Sequence, residues 1–425
     1  MNSERIVIVG GGAAGFFAAL ACAEARRGME ILILEKTSHF LSKVKISGGG
    51  RCNVTHACFD AREFTTCFPR GERALIAPFK QFQAADTVEW FARHGVKLKT
   101  EADGRMFPTT DSSQTIMDCL IDAATEGGVK LKAHCGVESI IKKSGGGFEL
   151  TLLSHGGADL PVGRVAQPRV PVKLSCDKLL LATGGCRTPA LGQLAVSLGH
   201  TLEPPVPSLF TFHIEIPWLR ELAGVSLETA EVSVPETRLR ERGALLLTHW
   251  GLSGPAILRL SAWGARELHL KNYQFALHIN WLPHWHAEKL AAAFKHCRQS
   301  QPAKFIVNTP QAKLPARLWE QLVLASGISR DSRWAALSGG AQHKLIQQLL
   351  RSELPVTGKS LNKDEFVTCG GVRLNEINFR TMESKLCSGL FFAGEVLDID
   401  GITGGFNFQA AWTTGWLAGR ALAES

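Results

Sequence analysis

Apolar and polar positions set out the chain in three textures. The first is a run of apolar residues, Ile6-Val7-Ile8-Val9, that breaks into glycines, passes into an Ala-rich stretch over 13–27, and returns as a second apolar run over 30–34. Unalternating runs suit strands buried on both faces of a parallel sheet, and the alanines favour a helix between them. Residues 5–35 therefore read as a β–α–β unit. Leu179-Leu180-Leu181 and Leu390-Phe391-Phe392 repeat the buried-strand pattern, each meeting glycines. Helical spacing marks 72–94 and 111–127, and strands are expected near 129–133, 136–141, 147–153 and 171–175, with a hairpin turn over 144–147.

The second texture starts near 201, with prolines at 204, 205, 207 and 217 and short β-type runs over 209–216, 224–234, 244–250 and 267–280. Helical spacing follows over 286–298, 314–326 and 332–352. The α/β pattern returns near 360 and ends in an amphipathic helix over 409–424. This order predicts an α/β fold whose Rossmann-type domain is discontinuous: 1–200 as its first part, a β-rich insertion over 201–280, a helical module over 281–354, and 355–425 as its second part. A length of 425 residues accommodates several cores.

Composition narrows the class. Hydrophobic residues make up 45% and charged residues 20%, as in an ordinary globular protein. The net charge of +8 admits an anionic partner, but the basic residues form no block along the chain, which counts against nucleic acid. Eleven cysteines, an odd number with no C-x-x-C pair, exclude a disulfide framework and a redox dithiol, and imply a reducing compartment. No signal-peptide pattern opens the chain and no long uncharged apolar run crosses a membrane. The expected location is cytoplasmic.

Gly10-x-Gly12-x-x-Gly15 follows a strand and opens a helix, and Glu35 stands twenty residues beyond it. That is the dinucleotide fingerprint. Gly10 serves the tight turn, Gly12 the approach of a pyrophosphate, and Gly15 the packing of helix on strand. Ala13 and Ala14 carry the N–H groups of the first helical turn towards the phosphates, and Glu35 would accept from ribose hydroxyls, which disfavours NADP. The string Ser47-Gly48-Gly49-Gly50-Arg51-Cys52-Asn53 exposes consecutive amides beside a cation and suits an anionic or carbonyl-rich ligand. Cys52 is either a nucleophile beside Arg51 or a small buried filler. Thr183-Gly184 ends a strand where the chain can approach a ligand. Gly394-Glu395 places a carboxylate at a strand end, fit for polyol hydroxyls. The Gly404-Gly405-Phe406-Asn407 turn precedes the last helix, and its N–H groups could face the electron-rich end of a flavin. Lys36 and Val137 complete the expected cofactor set. A nicotinamide enzyme has no use for the C-terminal half of this set, whereas FAD needs protein at both ends. His249 is the one acid–base candidate, with a structural histidine as the alternative. Trp250, Trp263, Trp281 and Trp285 either line a substrate pocket or pack the insertion. No metal site is expected.

The strings Ile46–Thr55, Gly104-Arg105-Met106-Phe107-Pro108, Thr248–Pro255 and Ala393–Gly401 resemble those of the BaiN/YhiN-like FAD-binding flavoproteins, also called the aminoacetone oxidase family. The likeness covers nearly the whole chain. It implies FAD held in a discontinuous Rossmann domain with an inserted β-barrel-like module and a helical module. It also assigns Lys43, with the glycine loop, Glu35, Ser47–Asn53, Thr183-Gly184, Glu395 and Gly404–Asn407, to the cofactor. Three features depart from the family pattern: His56 where Asn is usual, Leu41-Ser42-Lys43 where Gly-Arg-Lys is usual, and a short segment after Gly185.

The expectation is an FAD-dependent oxidoreductase moving a hydride or two electrons between bound FAD and a small organic substrate of the amine, ketone or enone class. No second strand–glycine–helix unit follows residue 35, so reoxidation falls to oxygen or to NAD(P)H docking transiently. The alternatives are a flavin-dependent RNA-modifying enzyme and a non-catalytic flavin-binding regulator.

Overall fold

The computed structural model describes residues 4–154, 171–186, 189–360 and 367–424. The chain divides into two compact units, Met1–Pro207 with Lys363–Ser425, and Ser208–Asn362.

Seven elements position the site in the first unit: β1 (Arg5–Val9), α1 (Ala13–Ala25), β2 (Glu30–Leu34), β3 (Lys130–Lys132), β4 (Lys178–Leu181), β5 (Leu390–Phe392) and α2 (Phe406–Glu424). The strands lie side by side in the order β5, β4, β1, β2, β3, all parallel, and two short antiparallel strands, Ile377–Asn378 and Glu383–Ser384, extend the β5 edge. The chain leaves β1 for β2 on one side and reaches β4 on the other, which makes the carboxyl end of β1 a topological switch point. An antiparallel meander of Cys135–Lys142, Phe148–Ser154 and Pro171–Cys176 links β3 to β4.

α2 starts at Phe406 rather than 409 and is less amphipathic than its sequence suggests, with buried residues around most of its circumference. Its contact with α1 depends on two glycines. A Cβ at Gly415 would lie 2.5 Å from the Ala14 carbonyl oxygen, and one at Gly419 would lie 2.2 Å from that of Ala18. The buried polar groups of α2 are bonded: Thr413 Oγ1 donates to the Phe82 carbonyl, Thr414 Oγ1 to Ala410, and Trp412 Nε1 to Val54.

The second unit holds a seven-stranded sheet whose two end strands, Ser352–Val356 and Gly358–Lys359, are neighbours in the chain. A sheet that begins and ends at one chain position curls in the manner of a barrel. Ser352–Val356 pairs with Phe275–Asn280, so the expected return to the first domain at 355 falls inside the insertion, and the β-rich and helical stretches form one unit. The β-run expected over 267–280 is a helix, Ala265–Leu270, then a left-handed pair, Asn272 and Tyr273, then the strand. Likewise 72–94 is two helices, Glu72–Gln81 and Ala84–Arg93, parted by extended Phe82.

Candidate functional site

The residues expected to hold the cofactor fall into two clusters, both within the first unit. One gathers at the carboxyl ends of the parallel strands. Gly10 has φ +118°, and a Cβ there would strike the Ala182 carbonyl oxygen at 2.2 Å; one at Gly15 would strike the Gly10 oxygen at 2.0 Å. Both glycines are required by the protein itself. Gly12 is different: its φ of −95° suits any residue, and a side chain there would meet nothing within 4 Å. Ala13 and Ala14 open α1, which has no side-chain cap and no acidic residue in its first turn. The unpaired N–H groups of that turn therefore suit an anion. Gly184, at the end of β4, also looks onto open space, and the neighbouring Thr183 Oγ1 is buried without a hydrogen-bond partner among the described residues.

Glu35 is already engaged. Its Oε2 accepts from Gly11 N–H at 3.0 Å and its Oε1 accepts from the Thr37 amide and hydroxyl at 2.9 and 2.8 Å. A carboxylate has about four lone-pair sites, so room remains for a ribose hydroxyl on a group held in place by the glycine turn. Lys36 is exposed, and half-buried Val137 stands in the strand beside it, where a Cβ at Gly136 would lie 3.7 Å from that of Lys36. At the far end, Lys43 Nζ pairs with Glu395 Oε2 across 352 residues, and the Thr368 amide donates to Glu395 Oε1 at 2.7 Å. Gly394 lies against Ala14, where a Cβ would come within 2.9 Å of the alanine methyl. Thr368 is a site residue that the sequence motifs do not mark. The signal for it is the run Thr368-Cys369-Gly370-Gly371, whose two glycines both take positive φ.

The second cluster departs from expectation. Ser42–Ile46 is helical, and the chain then unwinds through Ser47 into left-handed Gly48, Gly49 and Gly50. Ser47 Oγ donates to the Val44 carbonyl. Arg51 does not stand ready for a ligand anion: it pairs with Glu101 at 2.6 Å, lies 3.6 Å from Asp111, and sits 4.0 Å over the Phe107 ring. Hydrogen bonding to Glu101 raises its pKa further. Cys52 is fully buried, and burial pushes its thiol up to about 12, so it is the inert filler. With its amide oriented to satisfy both ends, Asn53 accepts from Gly405 N–H and donates to the Thr55 carbonyl, each at 3.0 Å. A Cβ at Gly405 would lie 2.5 Å from the Thr55 carbonyl carbon and oxygen. His56 Nδ1 lies 3.0 Å from the Gly404 oxygen, and its ring stacks on Phe406. Asn407 bonds Gly401 through both ends of its amide, at 2.8 Å each. Of the N–H groups of the Gly404–Asn407 turn expected to face a flavin, that of Gly405 is thus taken up by the protein, and the turn is further tied by the Gly404 carbonyl and the Asn407 side chain. Buried Asp400, just upstream, pairs with Arg70 through two hydrogen bonds.

His249 lies in the second unit, between the strands Arg240–Thr248 and Gly251–Ser253; it is exposed, and its ring has no partner among the described residues. Trp281 is buried with its Nε1 bonded to Ser352, which makes it packing, while Trp250 and Trp263 are partly exposed. The short segment after Gly185 includes Arg187 and Thr188, which lie outside the described residues; a helix, Pro189–Val196, follows them. One further cluster has the order of a catalytic triad: Ser384 Oγ to His200 Nε2 at 2.8 Å, and His200 Nδ1 to Glu376 at 2.9 Å. That Oγ already accepts from the Leu386 and Cys387 amides, and the imidazole is buried, so the cluster locks the sheet edge. No group of three or more metal-binding side chains occurs among the described residues, and no helix there is long and apolar enough to cross a membrane.

The open position at Gly12, the uncapped first turn of α1 and the carboxylates at both ends of the strand edge fit a long dinucleotide. The family model described as the HI0933-like protein Rossmann domain matches residues 4–421. The "Ribosomal RNA dihydrouridine synthase" of Escherichia coli (strain K12) is 32% identical, covering 99% of this chain and 98% of that protein. The "3-dehydro-bile acid delta(4,6)-reductase" of Clostridium scindens is 29% identical, covering 99% of each. Among solved structures, the 3-ketosteroid delta1-dehydrogenase of Sterolibacterium denitrificans shares the fold over the full length of both chains, with a TM-score of 0.54 at 12% identity.

Proposed function

The chain belongs to the family of the HI0933-like protein Rossmann domain and is an FAD-dependent oxidoreductase, and from that premise we propose that it saturates a carbon–carbon double bond conjugated with a carbonyl. Two relatives of differing names support this reading. A delta(4,6)-reductase acting on a 3-dehydro steroid and a synthase of dihydrouridine make the same bond change, addition of two hydrogens across an enone-type double bond. The shared bond change carries the proposal; the open turn at Gly12 with carboxylates at both ends of the strand edge supports the FAD on which it depends.

Bound FAD supplies a two-electron, hydride-transferring centre. The chain's residues divide the remaining work. The α1 N-terminus takes the pyrophosphate, Glu35 the adenosine ribose, and the Lys43–Glu395 pair the hydroxyls at the flavin end. Reduction of the double bond consumes one hydride and one proton. The hydride derives from a reduced nicotinamide that docks transiently, and His249, exposed and unbonded, is the proposed proton donor. Eleven free thiols suit a reducing compartment, and we place the protein in the cytoplasm.

Anaerobic incubation of the holoenzyme with NADH or NADPH and a panel of cyclic enones tests this. The expected products are heavier by two hydrogens. Flavin that stays reduced until air is admitted, with every enone recovered unchanged, would refute it. A second reading, in which the double bond belongs to a uridine of RNA, is favoured by the name of the E. coli relative. Its test is mass spectrometry of dihydrouridine in RNA treated under the same conditions.

A further inference from the structure

The net charge is scattered along the sequence but not between the two units. Ser208–Asn362 holds eighteen Lys and Arg against eleven Asp and Glu, while the rest of the chain holds twenty-nine against twenty-eight. Within the insertion the excess lies mainly in residues 281–354, with ten cations against four acids.

Pairing deepens the contrast. In the first unit, cations meet carboxylates repeatedly, as in Arg5–Glu30, Lys99–Asp111, Lys130–Glu30 and Arg373–Glu203. In the helical stretch Glu320 bonds Arg330, but Glu288 and Glu353 bond histidines, leaving Lys295, Lys304 and Lys344 exposed with no carboxylate partner among the described residues. The helix Ala287–Ser300 buries Leu290, Phe294 and Cys297 and turns Lys289 and Lys295 outward. Lys304 is fixed near Arg333 because the Trp334 amide donates to the Lys304 carbonyl and the Ile306 amide to that of Ser332. The Arg333 guanidinium then sits 5.3 Å over Phe305, a ring 37% exposed, and Lys289 Nζ sits 4.3 Å over Trp285.

Cations without carboxylate partners, beside one exposed ring and one half-buried ring, are what a single-stranded nucleic acid requires: lysines for phosphates, and a ring or guanidinium plane for a splayed base. We propose that the helical stretch 281–354 docks the phosphate backbone of RNA, which rests on the reading that the reduced bond is a uridine's. A membrane surface would ask instead for a continuous apolar face beside the cations, and here the rings stand singly.

The test measures binding of full-length, FAD-loaded protein to a labelled uridine-rich RNA hairpin at rising salt. Affinity should fall with salt by about 0.7 logarithmic units per decade for each phosphate contact to single-stranded RNA. The triple variant Lys295→Glu/Lys304→Glu/Arg333→Glu should bind at least about tenfold more weakly with a shallower salt slope. Its flavin content and its reduction of soluble enones should match wild type. Wild-type affinity independent of salt, or a variant that binds as wild type, overturns the surface. RNA bound without dihydrouridine formation refutes the uridine reading and leaves the surface standing; dihydrouridine formed by the variant at the wild-type rate refutes the surface and leaves the reading.

Discussion

At Gly12 a side chain would meet nothing within 4 Å, whereas at Gly405 it would run into the Thr55 carbonyl at 2.5 Å. Gly12 has an ordinary negative φ, while Gly405 sits at +96° with its N–H held by Asn53. Both belong to glycine-rich turns that open a helix, and both read in sequence as places to lay a ligand. Only the first is a vacancy that the protein leaves for something else. The second is a joint that fastens α2 to the 53–56 segment. Glycine richness therefore marks close approach without saying what approaches.

The contrast can be broken at several points, with effects on stability that fall from the joint outward. Gly405→Val combines a disfavoured φ with a clash against backbone and should cost roughly 5 kcal/mol or more; a melting temperature near wild type would show the joint to be loose. Asp400→Ala strands Arg70 beside the same turn and should cost about 3–5 kcal/mol, measured by denaturant unfolding with flavin present and absent. Asn53→Ala leaves the Gly405 N–H unbonded and should cost about 1–3 kcal/mol. A loss of flavin from that variant larger than its loss of stability would return Asn53 to the cofactor. Glu395→Gln, which weakens the pair with Lys43, should change stability by less than about 1 kcal/mol, because the pair is partly exposed. Its FAD affinity should still fall, read by titration of apoprotein; unchanged affinity would remove Glu395 from the site.

β1, β4 and β5 are legible in the sequence as short apolar runs met within three residues by glycine, and β2 as an apolar run ending at Glu35, whereas β3, Lys-Leu-Lys, carries no such pattern. The pairing of Arg51 is not legible in any local pattern, because Glu101 and Asp111 reach it from fifty or more residues away. The insertion's far boundary was missed because Ser352–Val356, alternating buried and exposed, pairs with a strand more than seventy residues earlier. Residues 267–270 read as strand in the sequence because six helical residues are too few to show a period. The charge of the insertion was hidden in the same way. Its cations are dispersed along the chain, and only the division into units shows that they share one body.

The most direct test of the account is the flavin-to-protein absorbance ratio of purified Gly12→Val. The open position and ordinary φ predict a variant that loses only about 1 kcal/mol of apoprotein stability, through the helix N-cap it replaces, and yet carries no FAD. A yellow Gly12→Val protein with wild-type occupancy would contradict the assignment of that vacancy to the pyrophosphate.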